Sequence, residues 1–156
     1  MKKGFTLIEL LLVMGLFAVL SGFVVVNMLR PQIGAEVDTT ISVLASDIKA
    51  QQIKAMVGDT DGEISAQPHG IYFQSDRYIL FSGASYSAGD PTNFEVLLRA
   101  GSTFGTISFS SSQLIFSSTD GLVSGFVGGS NSVVLNHDAG AQQTLTVNRY
   151  GAVDID

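Results

Sequence analysis

From Phe5 to Leu29 the chain reads FTLIELLLVMGLFAVLSGFVVVNML, and its one formal charge is Glu9. At 1.5 Å per residue a helix of this length spans roughly 37 Å, against a hydrocarbon core of about 30 Å, so the run can cross a bilayer with some tilt. The 46% hydrophobic content and mean hydropathy of +0.35 are high for 156 residues, and the surplus sits in this segment. Lys2 and Lys3 precede it. The positive-inside bias then leaves the N-terminus in the cytoplasm and everything after Arg30 outside it, with Arg30 partly opposing that orientation.

Three readings of the segment compete, and Glu9 separates them. A secretory signal peptide needs small residues at a cleavage site, and the best candidate, Leu20-Ser21-Gly22, is spoiled by Leu20 and followed by more apolar sequence. A plain signal anchor explains the length and the lysines. It gives no reason for Glu9, which costs up to about 2.5–3.5 kcal/mol at a bilayer centre. The third reading accounts for the whole stretch. Lys2-Lys3-Gly4-Phe5-Thr6-Leu7-Ile8-Glu9 resembles the prepilin signal of type IV pilins and type II secretion pseudopilins, with a short basic leader, a glycine, then a phenylalanine whose fifth position is a glutamate.

That resemblance implies cleavage by a prepilin peptidase between Gly4 and Phe5 and N-methylation of Phe5. It also implies membrane retention until assembly on an inner-membrane platform with other pilin subunits. The new α-amine has a reference pKa of about 8, and methylation leaves it cationic. Glu9 then has a partner in the Phe5 amine of a neighbouring subunit, a pairing that offsets burial of both charges and fixes axial stagger. Snorkelling of Glu9 to the interface is the plainer alternative. Gly15, Ala18, Ser21 and Gly22 share a helix face, as small residues do where helices approach closely in lipid. Ordinary transmembrane composition would place them there too.

Pro31 lacks a backbone donor and crowds the carbonyl of Asn27, so the helix is expected to kink there. Beyond it Ile33, Val37, Ile41, Leu44 and Ile48 recur at helical spacing and predict an amphipathic helix to about Val57. Gly58-Asp59-Thr60-Asp61-Gly62-Glu63 ends that helix. Its alternating carboxylates suggest calcium, but the glycine falls too early for an EF-hand and no glutamate closes the loop, so a solvated loop with no metal is expected.

Eight strands are predicted at 70–73, 78–81, 94–98, 106–109, 114–116, 133–135, 144–147 and 152–155, separated by Ser/Gly/Asn/Asp turns. The expected fold is α+β: a long N-terminal helix, transmembrane in its first half and amphipathic in its second, packed on a C-terminal antiparallel sheet in the pilin manner. The divisions are leader 1–4, transmembrane and assembly helix 5–30, amphipathic helix 31–57 and extracytoplasmic β-rich domain 58–156. Leu114-Ile115-Phe116-Ser117-Ser118-Thr119-Asp120-Gly121 and the hairpin from Leu145 to Val153 resemble the GspH/FimT group of minor pseudopilins and minor pilins. Two features depart from that group: Pro31 lies further along than the usual pilin proline, and the Ser82–Asn93 loop matches poorly.

With no cysteine there is no disulfide and no thiolate chemistry. The acidic residues number 14 against 8 basic, and losing Lys2 and Lys3 takes the formal charge from −6 to −8, so nucleic acid and anionic lipid are disfavoured partners. His69 and His137 stand in turn-like stretches with no hydrolase or phosphate-binding motif beside them, and both read as surface histidines. The chain is therefore expected to be no enzyme and to need no cofactor. Two functions remain: a structural, minor pilin or pseudopilin subunit in the bacterial inner membrane and its filament, or a tip-located binding module for DNA uptake or adhesion.

Overall fold

The computed structural model describes residue 4 and residues 6–156, with the side chains of residues 23–33 outside the description. The chain divides into two compact units, Met1–Ala35 and Glu36–Asp156, and the boundary falls within helix α1, Leu7–Val57. The expected kink at Pro31, and Ile33 at the head of the apolar stripe, lie among the side chains outside the description.

In the second unit α1 buries Val37, Ile41, Leu44, Ile48 and Ala55, each no more than 1% exposed. The spacings of four, three, four and seven keep these residues on one helical face. Eight strands follow: β1 His69–Phe73, β2 Arg77–Ser82, β3 Phe94–Leu97, β4 Ser102–Ile107, β5 Gln113–Phe116, β6 Ser132–His137, β7 Gln142–Val147 and β8 Val153–Ile155. They form two four-stranded antiparallel sheets, ordered β3-β2-β1-β5 and β4-β6-β7-β8, where one sheet was expected. The division arises because β4 leaves the first sheet to pair with β6, whereas β5 returns to pair with β1.

Seven of the strands fall within two residues of their expected bounds. The fourth begins at Ser102 instead of Thr106, because its register shifts between Phe104 and Ile107. The shift interrupts the alternation by which a strand is recognised. Phe104 on this strand packs edge-on against Phe73 at 5.5 Å between ring centroids, and Phe73 stacks on Phe109 at 5.3 Å. Together with the helical stripe, Ile71, Leu114, Phe116, Val133, Leu135, Leu145 and Val147 complete one buried cluster. Burying each such side chain contributes about 1.5–3 kcal/mol.

The outer face of the first sheet carries a smaller apolar group. Phe81 lies over Gly70, where a Cβ would come within 2.7 Å of its ring, and Tyr86 from the 83–93 loop packs against Phe81 and stacks on Tyr72 at 4.2 Å. Thus the Ser82–Asn93 segment is folded back onto the sheet.

Polar groups fasten the helix to the strands. Tyr78 Oη donates to Asp47 Oδ2 at 2.5 Å, and Gln143 Nε2 donates to Asp38 Oδ1 at 2.6 Å. Gln52, 9% exposed, donates from Nε2 to the carbonyls of Gly121 (2.9 Å) and Tyr150 (2.7 Å), while its oxygen accepts from Lys49 Nζ at 3.1 Å. Lys49 Nζ also reaches the Gly151 carbonyl. Gly151 has φ +75°, and any Cβ there would overlap the Gln52 amide.

Two outcomes follow for a fragment spanning 36–156. Gly151→Ala should lower its unfolding free energy by about 2–4 kcal/mol in urea titration, from left-handed backbone strain plus displacement of the Gln52 hydrogen bonds. Burial, then the Asp47 carboxylate, raises the Tyr78 pKa above its ordinary 10.0. The folded state therefore holds the phenolic proton more tightly, and this stabilisation is complete below pH 10 and lost as pH rises above it. Tyr78→Phe should be less stable at neutral pH by about 1–2 kcal/mol and should lose less stability between pH 9 and 11 than the parent.

Candidate assembly site at the N-terminus

In the first unit the helix begins at Leu7 with Thr6 as its N-cap residue. The Thr6 amide and hydroxyl both lie 3.4 Å from Glu9 Oε2, and the Glu9 amide lies 3.4 Å from Thr6 Oγ1. This reciprocal pattern is a capping box, in which the third helical residue reaches back to the cap while the cap's hydroxyl serves the helix. Glu9 is thereby given a role inside its own chain: its carboxylate takes up a backbone donor that the helix itself leaves unpaired and stands at the positive end of the helix dipole. The signal was present in the sequence as Thr6-Leu7-Ile8-Glu9 ahead of an apolar run. The sequence leads to the expectation of a partner amine in another subunit or of snorkelling to the interface, and the cap is a further role for Glu9.

Gly4 is exposed with open space where a Cβ would stand, whereas Phe5, the expected site of methylation, lies outside the described residues. From Leu7 to Gly22 every side chain is exposed. Leu7 is 78% exposed, Leu12 69%, Phe17 66% and Leu20 55%. Gly15 and Gly22 likewise have nothing within 4 Å of a Cβ position, and they share the exposed segment with Ala18 and Ser21. No helix among the described residues is long and apolar enough to cross a membrane. The described part of the apolar run, residues 7–22, falls short of the ~20 residues a span requires, and its continuation enters the residues whose side chains are outside the description.

The other candidates lie in the second unit. His69 was expected at the surface, but it is fully buried, because it opens β1 on the inward face shared with Ile71 and Phe73. Its Nε2 lies 3.2 Å from the Asp59 carbonyl, and its Nδ1 lies 3.6 Å from Asp61 Oδ2, beyond hydrogen-bond reach. His137 is also less exposed than expected, with 12% of its side chain accessible and Nε2 3.8 Å from Glu36. In the 58–63 loop Lys54 Nζ stands 3.8 Å from Asp59 and 3.4 Å from Asp61, so a cation already faces both carboxylates. The Asp59 carboxyl is held below its usual range chiefly by the Asp61 N–H it accepts. Among the described residues no three His, Asp or Glu side chains converge as metal ligands.

Residues 1–25 match the prokaryotic N-terminal methylation motif. The match supports a type IV pilin-like protein processed by a prepilin peptidase and assembled with other pilins. No curated protein and no solved structure matches the chain.

The capping box and the intersubunit pair can be told apart by substitution. Glu9→Gln retains a side chain able to cap, so amide exchange at Leu7–Leu10 in detergent micelles should stay within about twofold of the parent. Thr6→Ala should speed exchange there about fivefold, matching loss of a cap worth about 1 kcal/mol.

Proposed function

We propose that this chain is a non-enzymatic structural subunit, a minor pilin or pseudopilin of the GspH/FimT kind, of a type IV pilus or type II secretion-like filament. The observation that carries the reading is the methylation motif over residues 1–25, joined to a helical segment, residues 7–22, whose apolar side chains are all exposed. In this reading the peptidase cuts after Gly4 and methylates Phe5. The 5–29 run then holds the protein as a single pass in the inner membrane, with the acidic β-rich domain on the far side.

Glu9 serves twice. Before assembly its carboxylate caps its own helix through Thr6. During assembly it exchanges that contact for the charged Phe5 amine of a neighbour, and the gain sets the stagger between subunits. Exchange is favourable because the internal bonds are long, at 3.4 Å, whereas an ammonium–carboxylate pair in an apolar bundle is shorter and charge-assisted. The Gly15, Ala18, Ser21 and Gly22 face gives neighbouring helices room to approach. A tip-located module for DNA uptake gains little support, because 14 acidic residues stand against 8 basic ones and the formal charge is −6.

Intact-mass and N-terminal peptide analysis of the membrane-extracted protein should find N-methylated Phe5 as the first residue. A retained Met1, or a cut near Gly22, would overturn the assignment. Coexpressed with the other subunits, Glu9→Gln and Glu9→Leu should both be cleaved and retained in the membrane yet be depleted at least about tenfold from sheared filaments, since each strands the partner amine. Normal incorporation of Glu9→Gln would show that capping alone explains the glutamate. Micromolar binding of duplex DNA at physiological salt by the 36–156 fragment would favour the tip-module reading instead.

A further inference from the structure

We propose that a groove crossing the β5 end of the first sheet binds an uncharged oligosaccharide. Two adjoining hollows of about 310 and 250 Å³ share Ser110, Gln113, Ser124 and Gly125 in their walls. No lining residue of either carries a charge, although the domain around them is acidic. A charged ligand would find no opposite charge there to offset its lost hydration.

The polar groups in the walls are oriented by the fold. Gln113 Oε1 accepts from the Tyr86 N–H at 2.8 Å, and Tyr86 is itself held by its stack on Tyr72. The Gln113 amide NH₂ is thereby left as a donor. Across the first hollow Asn131 is fixed the other way: its Nδ2 donates to the Val147 carbonyl, which leaves its Oδ1 as an acceptor. Ser110, Ser124 and Ser130 line the same hollow, each with a hydroxyl able to donate or accept. Phe109 and Phe126 supply apolar surface to the same hollow. Fixed donors and acceptors beside apolar lining suit a ligand that carries hydroxyls on its rim and C–H groups on its ring faces.

The backbone shows that the site is built at some cost. Ser111 and Ser112 adopt φ of 53° and 56°, a left-handed conformation that costs about 1–2 kcal/mol for each residue other than glycine. The strained turn is the one that brings Ser110 and Ser111 to the groove. An extended peptide, the other neutral hydrogen-bonding ligand, fits less well. The β5 edge is already occupied: Ser124 N–H donates to the Ile115 carbonyl at 2.8 Å, Ser117 N–H donates to the Leu122 carbonyl at 3.0 Å, and Phe116 bridges to Val123.

The test uses the full chain in lipid nanodiscs free of glycoside detergents, with saturation-transfer NMR against maltotriose, cellotriose and triacetylchitotriose. Transfer to at least one of these is expected, with none to the anionic trigalacturonate and none to a Gly/Ser pentapeptide. Gln113→Ala should weaken the bound trisaccharide about tenfold, the loss of one neutral hydrogen-bonding group. Because Gln113 also holds the Tyr86 loop, Ser130→Ala provides a variant that removes a hydroxyl with no hydrogen bond among the described residues, and it should weaken binding about threefold. Silence from all three saccharides would overturn the proposal. So would equal transfer to trigalacturonate or to the peptide, or affinity unchanged in both variants.

Discussion

The Gln52 carboxamide is the point on which the second unit closes. It lies on the buried stripe of α1 between Ile48 and Ala55, where an apolar residue would be the ordinary choice. Its two N–H groups satisfy the carbonyls of Gly121 and Tyr150, in turns that follow β5 and β7 and so belong to different sheets. Those turns are also joined directly, by Val123 N–H donating to the Arg149 carbonyl at 3.0 Å. A leucine of similar volume would leave two carbonyls without their donor, at about 1–3 kcal/mol each where water does not reach. The helix thereby fixes the position of both sheets through one side chain, and the apolar cluster fills the space that results.

The same contact explains two glycines. Gly121 and Gly151 have φ of +66° and +75°, and a Cβ at the first would meet Met56, at the second Gln52. The turns reach their shape through local chemistry: Asp120 Oδ1 accepts the Leu122 amide, and Asn148 Oδ1 accepts the amides of Tyr150 and Ala152. Side chains within each turn set its conformation, and glycine lets the turn approach the helix. The two segments whose sequence resembled a minor-pilin pattern, 114–121 and 145–153, are the segments that carry these turns.

Much of this fold was legible in the sequence, and its failures have identifiable causes. Short-range periodicity marked the helical stripe from Val37 to Ile48, and alternation marked most strands, because both patterns are local. Division into two sheets was not legible: it depends on which strands pair over long separations, and β4 conceals its start behind a register shift after Phe104. His69 was misplaced because Pro68-His69-Gly70 reads as a turn, while the strand begins at the histidine itself. Gln52 gave no signal, since an isolated glutamine on a helix carries no pattern. At the N-terminus the motif points to Glu9 directly, but a charge in an apolar run suggests a partner in another chain before its local capping partner, Thr6.

The first unit poses a different physical problem. Leu10, Leu11, Leu12, Val13 and Met14 are consecutive and all exposed, at 58, 63, 69, 43 and 67%. Five successive residues cover the full circumference of a helix, so no single groove on a folded domain could bury them. A helix apolar all round is stable only where its surroundings are apolar all round, in lipid or amid several other helices. Moving from the first setting to the second changes little for the leucines, which find hydrocarbon in both. Such a move would change more for Glu9, whose carboxylate contacts its own Thr6 among the described residues. On the proposed reading, the selectivity of such a transfer would rest on Glu9, the one charged side chain from residue 5 to residue 29, and on the close approach that Gly15 and Gly22 permit, rather than on the apolar surface.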